Sequence, residues 1–113
     1  MDKLAQYRTI IQKLFTAFAA WANRTPPPNT ELLTVFDEQH DYYLLLNVQW
    51  GRYECVQSAM VFVRLVNDKI YIEEDWTEEG IATGLLNEGV PKQDIVLAFQ
   101  PPELRALSEF AAA

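Results

Sequence analysis

The chain has 113 residues, half of them apolar, with 16 acidic against 9 basic side chains and a formal net charge of −7. That length suits one hydrophobic core, in a single domain over residues 1–113, and no apolar run approaches the roughly 18 residues that cross a bilayer. Lys and Arg are scattered and never adjacent, so the basic stripe that neutralises nucleic-acid phosphates is missing, and neither direct nucleic-acid binding nor membrane contact is expected.

The opening residues lack the basic segment and apolar core of a signal peptide, and the lone Cys55 has no internal disulfide partner. Both observations point to a reducing, cytoplasmic setting. Residues 2–22 place Leu4, Tyr7, Ile11, Leu14, Phe18 and Trp21 at steps of three and four, widened by Ile10, Phe15 and Ala22. That spacing predicts a helix laid against a sheet. Pro26-Pro27-Pro28 ends it, since proline lacks the amide hydrogen and pushes its predecessor towards extended geometry.

Four strands follow in an expected antiparallel meander, at residues 30–36, 42–50, 55–66 and 69–74. A polar stretch at 37–41 joins the first two, residues 51–54 form the next turn, and Asn67-Asp68 makes a two-residue hairpin turn. In the second strand Tyr42, Leu44, Leu46, Val48 and Trp50 alternate with Tyr43, Leu45, Asn47 and Gln49, a period of two with a buried face. Asp75 or Thr77 can cap a helix over about residues 78–88, with Gly89 as its left-handed C-cap and Pro91 as the stop. Residues 95–99 could add a short strand, and Pro101-Pro102-Glu103 opens a last short helix. The expected fold is therefore α+β: an N-terminal helix, a four-stranded antiparallel meander, and C-terminal helices packed on the sheet.

The densest group of potential ligands is Glu73, Glu74, Asp75, Glu78 and Glu79. Gathered at one loop, these carboxylates could hold a hard cation such as Mg²⁺ and serve a small metal-binding factor or enzyme. Helix-end preference and solvation explain them more simply. His40 sits in a polar turn and cannot build a zinc site with one distant cysteine. Cys55 has no activating neighbour in sequence, Ser58 and Ser108 lack a nucleophile-elbow context, and the four glycines have no phosphate-cradling spacing. No catalytic residue, cofactor or metal site is assigned, and the chain reads as a non-enzyme. The aromatics are the remaining clue, because Tyr and Trp are enriched at protein interfaces. The candidate partner interface comprises Tyr43, Tyr71, Trp76, Glu78 and Glu79, with Tyr43 and Tyr71 expected to be partly exposed on one face of the meander. Homodimerisation through a sheet edge or aromatic face is a further expectation, and the acidic balance suits a basic protein partner.

Several stretches together carry a resemblance. They are Met1-Asp2-Lys3-Leu4 to Tyr7-Arg8 with Ile10-Ile11, Phe36-Asp37-Glu38, Asp41-Tyr42-Tyr43-Leu44, and Asn47-Val48 to Trp50. The C-terminal part adds Thr77-Glu78-Glu79-Gly80-Ile81-Ala82, Gly89-Val90-Pro91-Lys92, Asp94-Ile95-Val96-Leu97 and Pro101-Pro102-Glu103 to Arg105. In this wording the chain resembles the XisI family, the fdxN-element excision controlling factors of cyanobacteria. Trp76, in place of a small turn residue, and Gln100, in place of His, depart from the pattern. The resemblance implies an α+β fold and a regulatory role in programmed DNA rearrangement during heterocyst differentiation. It also implies association with a XisH-like protein, itself similar to endonucleases. It brings no catalytic residue to this chain.

Overall fold

The computed structural model describes residues 2–112; Met1, which begins the opening motif, and Ala113, the far end of the expected domain, lie outside the described residues. Asp2 starts the first helix, α1 (Lys3–Ala22), by accepting the Leu4 N–H on its carboxylate, which satisfies a donor the helix leaves free. The row of α1 turned fully inward is Tyr7, Ile11, Phe15 and Ala19, flanked by half-buried Leu4, Ile10, Leu14, Phe18 and Ala22. Trp21 does not join this face. It is largely exposed and packs on Phe18, with ring centroids 5.6 Å apart.

The sheet has five strands in sequential order: β1 (Thr30–Asp37), β2 (Tyr42–Trp50), β3 (Cys55–Val66), β4 (Lys69–Asp75) and β5 (Ile95–Leu97). The first four form the expected antiparallel meander. Asn67 and Asp68 both take positive φ, 51° and 63°, the signature of the primed turn whose twist matches the strands it joins. The four-strand expectation is corrected by β5, which pairs parallel to β4 with Ile70 opposite Ile95. A parallel neighbour requires a crossover, and residues 76–94 supply it.

That crossover holds α2 (Ile81–Asn87), shorter at its start than the expected helix, with Ile81 and Leu85 buried. Gly89 adopts φ +95° just past the helix end, the left-handed conformation expected of it. A 3₁₀ turn, Lys92–Asp94, leads into β5. The last helix, α3 (Pro102–Arg105), is one turn long and buries no residue. It is fastened from above, because the Arg105 guanidinium donates to the carbonyls of Ala98 and Gln100 at 2.9 and 2.8 Å.

The core lies between α1, α2 and one face of the sheet, where Tyr43, Leu45, Val61, Val63, Ile70, Ile72 and Ile95 interdigitate with the α1 row. Fully burying side chains of this size contributes about 1.5–3 kcal/mol each before entropy is charged. No helix among the described residues is long and apolar enough to cross a membrane.

Candidate partner interface

Two clusters fasten α1 to the sheet, and the second of them corrects one expectation. Near the helix start, the Tyr7 hydroxyl donates to Asp94 and Lys3 Nζ pairs with the same carboxylate at 2.8 Å. Burial raises the Asp94 carboxyl, yet the bonds from Lys3 and Tyr7 outweigh it and hold the group below the ordinary aspartate value. Next to Tyr7 in the chain, Arg8 clamps Asp41 with Nε at 2.7 Å and Nη2 at 3.1 Å, and the Tyr43 hydroxyl donates to Asp41 at 2.9 Å. The Arg8 hydrogen bonds pull the Asp41 carboxyl down, while burial, then the bond to Asp41, pushes the Tyr43 hydroxyl up.

Tyr43 is therefore not an interface aromatic: it is 0 % exposed, packed against Phe36 beneath α1. The parity of β2 explains the correction. Its inward row is Tyr43, Leu45, Asn47, Gln49, which turns polar where α1 stops covering the sheet. Its outward row, Tyr42, Leu44, Leu46, Val48, Trp50, stays apolar throughout although Tyr42 and Trp50 are exposed. Tyr71 lies on that outward face, half-buried and opposite Arg64, which pairs with Glu73 at 3.1 Å.

Trp76, Glu78 and Glu79 stand on the loop that leaves β4. Asp75 builds this loop: its Oδ1 accepts from the Thr77 N–H and hydroxyl at 2.9 and 2.6 Å, and its Oδ2 accepts the Ile81 N–H at 2.6 Å. Thr77 Oγ1 accepts the Gly80 N–H at 3.1 Å. Gly80 sits at φ +84°, a conformation that costs a side-chain-bearing residue strain. Both capping candidates thus act, Asp75 on the helix and Thr77 on the loop before it. Trp76 projects outward, 74 % exposed, with its indole N–H on Glu74 at 3.0 Å.

The acids at 73–79 diverge into separate tasks: Glu73 holds Arg64, Glu74 holds Trp76, and Asp75 caps α2. Among the described residues, no three His, Cys, Asp or Glu side chains gather as a metal site. His40 lies in its turn, where the Asp37 carboxylate takes its backbone N–H and ring nitrogen.

The structure adds surface that the sequence reading did not select. Trp21 and Trp50, at the C-terminal ends of α1 and β2, are exposed, as are Tyr53 and Val56 on the β2–β3 hairpin; Trp76, just past β4 and opposite Met60, is exposed part-way along β3. Open clefts lie at the start of β1 and along the β2–β3 hairpin. One lies between Ala22, Pro26, Pro27, Thr30 and Met60, the other along residues 49–56. On the outer sheet face Leu33, Val35 and Tyr42 form a second exposed apolar area. The one available signal was the unbroken apolar outward row of β2, which implied a face apolar beyond what the helices could cover.

A family model described as XisI protein matches residues 1–112. This chain belongs to the XisI family. Solved structures agree. It is similar to the fdxN element excision controlling factor XisI from Anabaena variabilis, with 36% identity, TM-score 0.83, and 99% of this chain and 100% of that one covered. It is also similar to a XisI-like protein from the same organism, with 25% identity, TM-score 0.87, and 97% and 99% covered. No curated protein matches the chain.

Most of the XisI-like wording is thereby explained as architecture. Thr77 and Gly80 shape the α2 cap, Gly89 ends that helix, Asp94 receives Tyr7 and Lys3, and Arg105 ties down α3. Glu78 and Glu79 differ: they are exposed, and their carboxylates meet no partner among the described residues. Trp76, where this XisI member departs from the expected wording, stands exposed beside them.

Proposed function

We propose that this chain is an accessory protein in the control of programmed DNA-element excision, acting through protein contacts with a XisH-like nuclease. The carrying observation is the likeness, over nearly the whole of both chains, to a protein described as an fdxN element excision controlling factor. The surface supports a docking role, with the exposed Trp76 beside the unpaired acids Glu78 and Glu79 on the loop that leaves β4. Large amphipathic aromatics give contact area at low entropic cost, and unpaired acids steer a basic partner. Trp76, Glu78 and Glu79 are the contact residues of this reading, and the half-buried Tyr71 on the outer face is a secondary candidate.

The test is co-purification with a XisH-like protein from the same genome, followed by titration of variants. Trp76→Ala is expected to weaken the complex at least tenfold, a loss of about 1.4 kcal/mol or more. Glu78→Lys with Glu79→Lys is expected to slow association and flatten its salt dependence. A complex that forms with unaltered affinity in both variants would move the contact elsewhere. No complex between two folded proteins would refute the partner itself.

A further inference from the structure

The sheet blocks part of each outer edge and leaves the lower half of an inner strand without any cover. At β5 the far side is bridged by Ala111, whose N–H donates to the Ile95 carbonyl at 2.9 Å. At β1 the Leu32 N–H and carbonyl, both turned outward, are taken by the side-chain amide of Asn23 at 3.1 and 2.8 Å. Blocking devices of this kind keep sheet edges from pairing with other chains.

The lower half of β3 has no such device. β4 pairs with β3 only from Val61 to Val66, and the last contact in that lane is the Trp76 N–H on the Met60 carbonyl at 2.9 Å. The direction of the free groups follows from the alternation of an antiparallel ladder. Trp50 donates its N–H to Asn29, so the even-numbered residues of β2 turn their backbone groups to β1. Cys55, Gln57 and Ala59 stand opposite Trp50, Val48 and Leu46, and so turn their N–H and C=O groups away from β2. No hydrogen bond among the described residues reaches them.

We propose that this edge pairs with the same edge of a second copy of the chain, antiparallel about a twofold axis at Gln57. Antiparallel pairing of a segment with itself is twofold symmetric, and the outward residues 55, 57 and 59 are symmetric about 57. Cys55 then meets Ala59 of the partner subunit, Gln57 meets the partner's Gln57, and each free donor finds an acceptor. The paired stretch is limited to residues 55–59, because Trp76 already fills the lane opposite Met60 and the partner chain turns away at its hairpin there. Charge selects a second copy as the occupant. Each chain carries −7, yet residues 55–63 contain no charged side chain, so two copies meet along a neutral stretch that offers a basic partner nothing. Pairing also shelters Val56, 54 % exposed, and brings Trp76 beside the partner's hairpin turn.

Light scattering on the purified chain across a concentration series tests this. The expected mass is twice 13.0 kDa, falling towards 13.0 kDa on dilution. Gln57→Pro deletes an outward N–H that an edge strand can spare, and Gln57→Lys sets two like charges facing each other on the axis. Both variants are expected at 13.0 kDa, with unchanged far-UV circular dichroism. If the proline variant unfolds, the lysine variant decides. A wild-type chain monomeric up to its solubility limit, or a dimer that survives substitution, overturns the proposal.

Discussion

Asp94 is the one charged residue counted as buried among the described residues, and it receives Tyr7 and Lys3 from the first two turns of α1. Asp94→Asn keeps one acceptor oxygen but removes the charge that Lys3 pairs with and that strengthens the bond from Tyr7, so it is expected to cost about 1–3 kcal/mol, read as a lowered thermal midpoint. The pH dependence has a definite sign. Asp94 and Asp41 are held below the ordinary aspartate value in the folded state, so the unfolded chain binds protons first as pH falls. Their contribution is complete above the unfolded carboxylate range near pH 4 and is lost as pH drops through the lower folded values. The thermal midpoint should therefore decline most steeply below about pH 4, and less steeply in Asp94→Asn. A variant with the wild-type profile would remove Asp94 from this role. Asn23 offers a contrasting case, since its amide fills both outward backbone groups of Leu32. Asn23→Ala should cost about 1–2 kcal/mol for the two bonds and should speed amide exchange at Leu32, a readout that simple loss of helix-end packing would not localise there.

At the scale of elements, α2 is too short to stand on propensity and depends on Asp75. Asp75→Ala removes the acceptor for Ile81 and the two bonds to Thr77. About 1–2 kcal/mol is expected to be lost, with faster exchange across α2 and little change in β2 or β3; uniform loosening of the sheet would contradict a local cap. The legibility of the elements follows the same physics. Both β2 and β3 were read with their full bounds, because period, turn residues and strand ends agree there. The fifth strand stayed uncertain because three residues carry no periodicity and its parallel partner is separated by the whole crossover. Burial parity in β2 was misjudged because both rows are apolar near Tyr42 and Tyr43. Which row faces inward depends on where α1 lies, and nothing in the strand itself records that. For the candidate interface, Trp76, Glu78 and Glu79 are exposed as an interface requires, while Tyr43 failed for that same parity reason.

At the scale of the whole molecule, the two proposed contacts differ in their electrostatics, and salt separates them. A net charge of −7 makes two copies repel over their entire surfaces, whereas the strand that would join them is neutral. Screening therefore favours self-pairing, since the Debye length shrinks from about 10 Å at 0.1 M to about 3 Å at 1 M ionic strength. The contact with a basic partner runs in the opposite direction, because its attraction comes from the same acids that drive copies apart. Raising salt over that range should strengthen the homodimer and weaken the XisH-like complex, followed by light scattering and by titration of the two proteins. If self-association weakened with salt, the pairing would have to involve opposite charges and could not lie along residues 55–59. If the XisH-like complex were indifferent to salt, Glu78 and Glu79 would lose their steering role, and the exposed Trp76 would have to carry that contact through apolar burial.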